Sequence, residues 1–167
     1  MNALARFRAQ KDSYLRESPD SPVDDPDFAG LRYYPESEGF VVRAPFGPFA
    51  GREVVLLETS TGDEQPYFRA GRASFSLDGQ PCALTLYQAT FETDSARFFV
   101  PFRDATSGHE TYGAGRYLEA SLLSDRQLLL DFNYAYSPFC AYSPRYRCPL
   151  PPAENRLTVA VHAGERL

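Results

Sequence analysis

From residue 40 onward the chain alternates short runs of β-branched and aromatic residues with turn signals, and this constrains the fold more than any other feature. Strands are expected at 40–44, 52–60, 67–70, 73–77, 83–90, 97–102, 116–122, 127–133 and 157–163, about nine in all. In 73–77, Phe75 and Leu77 share one face; in 83–90, Leu84 and Leu86 alternate with Thr85 and Tyr87, the two-residue period of a half-buried strand. Asp78-Gly79 is a tight-hairpin signal, because both central positions of that turn need positive φ. Pro45-Phe-Gly-Pro reads as a turn between the first two strands. With no helical pattern between strands, β-α-β units are excluded. The expected fold is mainly β, a single antiparallel β barrel-like or sandwich domain.

Helical spacing occurs once, at residues 2–16, where Leu4, Phe7, Lys11, Tyr14 and Leu15 fall close to one face. Residues 18–39 follow as a proline- and aspartate-rich loop; Pro19, Pro22 and Pro26 each withhold a backbone donor. The chain of 167 residues therefore reads as one domain, with the helix at 2–16, the loop at 18–39 and the β domain at 40–167. A hydrophobic content of 43% fills a core without metal or disulfide staples, and 13 Phe and 11 Tyr stand in for the missing Trp.

A net charge of -5 argues against a nucleic-acid binder, which carries a basic face. No run approaches the ~18 apolar residues of a membrane span, and the N-terminus lacks the apolar core of a signal peptide. A cytoplasmic location is expected, with no nucleic-acid or membrane partner. Cys82, Cys140 and Cys148 form no C-x-x-C pair, so neither a disulfide framework nor a zinc ribbon is indicated; Cys140 and Cys148 could meet across the proline-rich turn between them, but two buried thiols are the expected state. His109 and His162 are the only histidines, which rules out a His-rich metal site. No metal and no cofactor are expected.

Residues 98–155 set Asp104, Glu110, Arg116, Asp131, Asn133 and six tyrosines among the apolar strands. Buried charges need partners, so the stretch reads either as a pocket floor or as an internal polar network. Asp104 and Glu110 flank a turn and Arg116 rises on the next strand; the trio has the chemistry to position a carboxylate or to supply an acid and a base, with Asp104 and Glu110 as catalytic candidates. The internal alternative has Asp104 bonding backbone amides and Glu110 paired with Arg116. Gly113-Ala-Gly115 lacks the following helix of a phosphate loop and instead allows a bend that aims Arg116 inward. Tyr134 and Tyr136 are expected on one face.

The segments Phe102-Arg-Asp-Ala-Thr-Ser-Gly, Glu110-Thr-Tyr-Gly-Ala-Gly-Arg-Tyr-Leu, Asp131-Phe-Asn, Cys140-Ala-Tyr and Cys148-Pro-Leu-Pro-Pro-Ala-Glu-Asn resemble, as a set, the bacterial and archaeal domain-of-unknown-function family 1684. Lys11-Asp12 and Phe28-Ala-Gly-Leu also fit, so the resemblance spans nearly the whole chain. It implies that Asp104, Thr106, Glu110, Tyr112, Arg116, Tyr117, Asp131, Asn133, Tyr142, Cys148, Pro149 and Asn155 match the family pattern. Ser137 stands where the family often has Asn. No activity comes with the resemblance.

The functional expectation is a small-molecule-binding β domain for an anionic or carboxylate-bearing ligand. Arg116 serves as anion clamp, Asp104 and Glu110 as orienting carboxylates, Tyr112, Tyr136 and Tyr142 as walls, and Asp131 and Asn133 complete the pocket. One alternative is a structural or protein-interaction domain whose polar set is an internal network. The other is an oxygen-ligand metal-dependent hydrolase, which needs three of Asp104, Glu110, Asp131 and Glu154 around one centre. Catalysis and homo-oligomer formation are left open.

Overall fold

Asn2 starts the one α-helix, its side-chain oxygen accepting from the Ala5 amide at 2.8 Å. Helix α1 runs Ala3–Glu17 in this computed structural model, which describes residues 1–167. Leu4 and Leu15 are its buried residues, while Phe7 and Tyr14 remain substantially exposed. Polar clasps do the rest of the docking. Arg8 donates to the carbonyls of Tyr34 and Asn133 at 3.2 and 3.3 Å, and Asp12 accepts from the Leu31 amide at 3.0 Å.

The expected loop contains a two-residue strand, β1 (Arg32–Tyr33), and a 3-10 turn at Glu38–Phe40. Then come β2 (Val41–Glu58), β3 (Glu64–Leu77), β4 (Gln80–Ala89), β5 (Arg97–Phe102), β6 (Arg116–Ser124) and β7 (Gln127–Asp131), and near the chain's end β8 (Glu165–Arg166), antiparallel to β1. Eight strands replace the anticipated nine.

Two fusions and the loss of 157–163 take nine to six, and the short β1 and β8 bring the total to eight. The anticipated turn at Pro45–Pro48 lies inside β2, which fuses two expected strands, and 67–70 and 73–77 likewise merge in β3. β2 pairs with β7 through Val41–Pro45 and with β3 from Phe46 onward, so the prolines sit at the hand-over, where a missing N–H costs least; the register shift between Pro48 and Glu53 bends the strand there. Asp78 and Gly79 both adopt positive φ and close the β3–β4 hairpin as anticipated.

Strands β2 to β7 follow one another in a ring, with β7 returning to β2. β4 and β5 share a single residue pair, Tyr87 with Phe99, so the ring is not a true barrel. Its interior is filled by Ala44, Leu84, Leu86, Val100, Phe102, Leu118, Leu128, Leu130 and Phe132. Segment 157–163, anticipated as a strand, forms no ladder. Its residues alternate buried and exposed as a strand's would, and Leu157, Val159, Val161 and Ala163 enter the same core. No helix is long and apolar enough to cross a membrane.

Candidate functional site

Arg116 opens β6 directly after Gly115, whose φ is +108°. A Cβ on Gly115 would lie 2.6 Å from the Phe102 carbonyl oxygen, so only glycine permits this bend, and the bend directs Arg116 into the interior. Nη1 donates to the carbonyls of Ala163 and Glu165 at 2.5 and 3.0 Å; Nη2 donates to Val161 at 2.9 Å and lies 3.5 Å from Asp104 Oδ1. Alternate carbonyls point to one side of an extended chain, and the guanidinium fork takes three in succession, where a neighbouring strand would otherwise donate. Asp104 completes the substitution by accepting the Val161 amide at 2.7 Å, and it also accepts the Thr106 hydroxyl at 2.8 Å.

Arg116 and Asp104 side chains are 0% and 1% exposed. Burial pulls the guanidinium below its ordinary pKa, and the Asp104 carboxylate acts in the opposite direction. The anticipated clamp is therefore sealed from any ligand in solvent, although its Nε has no partner. Its donors hold segment 161–165, as the internal-network alternative has it in kind, but with Asp104 in place of Glu110 as the partner.

Asn155 does similar work at the weak seam of the ring. Its Oδ1 accepts the Thr85 amide at 2.7 Å, and its Nδ2 donates to the carbonyls of Thr85 and Pro101, both at 2.9 Å. Thr85 belongs to β4 and Pro101 to β5, the two strands that share only one pair. Asn133, also buried, bonds both backbone groups of Ser37 at 2.9 Å.

A second buried ion pair escaped the sequence reading. Glu165, with its side chain 3% exposed, is paired with the ammonium of Lys11 on α1. Its other oxygen accepts the Ser137 amide at 2.8 Å and the Tyr142 hydroxyl at 3.0 Å. The Ser137 contact comes from the backbone, so it does not depend on which side chain stands at that position. Gly164, with φ +77° and 2.5 Å between an added Cβ and the Ala135 carbonyl, sets the preceding bend. Burial, then Glu165, raises the Tyr142 phenol. The sequence did carry a signal: the chain's one lysine falls on the apolar face of its one helix.

The open site lies elsewhere, between α1 and the outer face of β6–β7. Glu119 and Ser121 of β6 and Leu129 and Asp131 of β7 form its floor, with Phe7, Tyr134 and Tyr136 as walls, around a hollow of about 410 Å³. A neighbouring hollow of about 270 Å³ shares Phe7, Glu119 and Tyr136 and adds Lys11, so the two make one groove. Strand alternation explains the floor: Leu118, Ala120, Leu128 and Leu130 point into the core, which turns Glu119, Ser121, Leu129 and Asp131 outward.

Tyr136 is held by paired backbone bonds to Tyr117 at 2.8 and 3.0 Å, and Lys11 Nζ stands 4.8 Å from its ring centre. Burial, then the Glu119 and Glu165 carboxylates, raise its phenol. Asp131 accepts from the Asn133 amide and side chain through Oδ1, which leaves Oδ2 for the groove. Glu119 forms an exposed ion pair with Arg97.

Of the anticipated set, the structure brings Asp131 and Tyr136 together in the groove and Asp104 and Arg116 together in the interior. Glu110 is not Arg116's partner; it reaches the surface beside His162 at 3.2 Å. The Tyr112 hydroxyl meets Cys140 Sγ at 3.7 Å, and nearby burial raises Tyr112 to about 12. The expected convergence on one pocket fails because residues of opposite strand parity and different turns face different sides. Glu154 accepts both Arg69 nitrogens, at 3.2 and 2.7 Å, and the Tyr87 hydroxyl. No three His, Cys, Asp or Glu side chains gather as a metal centre would require, so the hydrolase alternative loses its ligand set.

Ring and groove define a small, mainly β protein with a helix laid across one outer face. The sequence profile of a family described as protein of unknown function (DUF1684) matches residues 26–166, and the chain belongs to that family. A solution NMR structure of an uncharacterised protein from gene locus rrnAC0354 of Haloarcula marismortui is similar, with a TM-score of 0.75 and 41% identity over 98% of this chain and 92% of that one. No curated protein matches.

Proposed function

We propose that the protein is a small-molecule-binding β domain whose ligand occupies the groove between α1 and β6–β7 and carries an ammonium or similar cationic group. The observation behind this reading is the convergence of Glu119 and Asp131 with the rings of Phe7, Tyr134 and Tyr136 in one open hollow. Aromatic faces and carboxylates both attract cations, and a site of a few hundred Å³ with few polar groups is how small-molecule pockets are built. The one ammonium at the groove's edge, Lys11, is already matched by Glu165. Arg116, the anticipated anion clamp, does not line this groove.

Native mass spectrometry of freshly purified protein, followed by calorimetric titration with a panel of aliphatic and aromatic amines, tests the proposal. A binder whose affinity falls at least tenfold in Glu119→Gln and in Asp131→Asn supports it. Amines that never bind, or that bind both variants unchanged, dispose of it.

A protein-association role draws on a different observation. Val54 and Leu56 stand 52% and 60% exposed on one face of β2, and Phe91 is 80% exposed. Sedimentation that shows a monomer unaffected by Leu56→Lys removes self-association from that reading.

A further inference from the structure

We propose that Cys140 and Cys148 are a redox-modification site, at which a peroxide converts the two thiols into a reversible intramolecular disulfide. The Cys140 amide donates to Cys148 Sγ at 3.3 Å, which places that sulfur within one side-chain rotation of its partner. Cys148 is fixed against Ser60: its amide donates to the Ser60 hydroxyl at 3.0 Å, and its carbonyl accepts the Ser60 amide at 2.9 Å. Cys140 sits on the 3-10 turn Phe139–Ala141, partly exposed, with its thiol toward the Tyr112 hydroxyl. Closing the bond requires only that the Cys140 side chain leave this weak contact and turn toward Cys148. Both thiols are free in the structure.

The roles divide by exposure. Cys140 is the sulfur a dissolved peroxide meets first. Its thiolate attacks one peroxide oxygen, the O–O bond breaks, hydroxide leaves, and a sulfenic acid remains. The Cys148 thiolate then attacks the Cys140 sulfur and expels the second oxygen, which leaves as water. In sum, two thiols and one hydrogen peroxide give one disulfide and two waters, with two electrons passing from sulfur to oxygen. Burial lifts the Cys148 thiol to about 11, so its attack on the sulfenic acid is the slower of the two steps. The bond would fasten the turn that precedes Tyr142 onto the end of β2. Cys148 also lines an apolar hollow of about 320 Å³ with Tyr117, Phe139 and Tyr146, so oxidation would stiffen one wall of it. None of this depends on the ligand groove.

The test treats the native full-length chain with stoichiometric hydrogen peroxide and follows intact mass and thiol alkylation under non-denaturing and then denaturing conditions. The expected result is a mass loss of about 2 Da, with alkylatable thiols falling from three to one, a Cys140–Cys148 cross-linked peptide, and full reversal by dithiothreitol. Cys82→Ser should lose both remaining thiols in the same way, because Cys82 lies on β4 packed toward the core. Cys148→Ser should stop at a Cys140 sulfenic acid that dimedone traps. Retention of all three thiols in wild type, oxygen addition without a cross-link, or a cross-link through Cys82 overturns the proposal, and the wild-type measurement decides even where a variant fails to fold.

Discussion

Asn155 bonds both the amide and the carbonyl of Thr85, as a paired strand residue would, from a side chain 70 positions away in sequence. Together with its bond to Pro101, this lets one carboxamide stand in for the ladder that β4 and β5 do not form. Arg116 and Asp104 act in the same way toward segment 161–165. Asn155, Arg116 and Asp104 are thus replacements for missing strand partners.

Asn155→Leu should accordingly be costly. It leaves three backbone groups without partners inside the ring, each worth about 1–3 kcal/mol. A loss of about 3 kcal/mol or more is expected, a fall in Tm of about 6–12 °C for a chain of this size. Urea unfolding and calorimetry measure it; a loss below about 1 kcal/mol would mean that the seam closes by other contacts.

Arg116→Met and Asp104→Asn should each destabilise by about 3–5 kcal/mol, because each strands a buried charge. The double variant should cost clearly less than the sum, by about 1 kcal/mol or more. Strict additivity in a double-mutant cycle would show that the pair is not coupled.

Lys11→Met removes the counter-charge of Glu165 while keeping an apolar stem on the helix. Stability should fall by about 2–4 kcal/mol, and amide exchange should speed up across Ala3–Glu17 more than across β2–β7. Uniform acceleration throughout the chain would contradict a helix-specific clasp.

Glu154 gives a pH dependence with a definite sign. Hydrogen bonding from Arg69, ahead of the opposing effect of burial, lowers its pKa below the ordinary 4.5. Its stabilisation is present above the unfolded value and is lost as pH falls through the lower folded value. Wild type should exceed Glu154→Gln in Tm by a constant margin above about pH 5, and the margin should close as acid is added. A margin that widens in acid would reverse the assignment.

Much of the ring was legible in the sequence. Alternation at 83–90 and the Asp78-Gly79 turn identified elements that the chain forms. Alternation reports burial, however, and not hydrogen-bond partners, so 157–163 read as a strand although a loop backbone serves Leu157 and Val159 and side chains serve Val161 and Ala163. Proline signalled a break at Pro45–Pro48, where the chain instead changes partners within one strand. The polar turn at 104–116 was legible, but the sequence paired Glu110 with Arg116 where the structure pairs Asp104, and Glu119 looked like any outward residue of β6. Only the placement of α1 over that face makes Glu119 part of a groove, and such a contact between distant segments leaves no local motif.

Val161, Ala163 and Glu165 supply the acceptors that Arg116 needs, from 45 to 49 positions further along the chain. Before that segment docks, a guanidinium meant for a dry interior has nowhere to donate but water. Docking of that segment and drying of the guanidinium are therefore a single event, and neither is complete without the other.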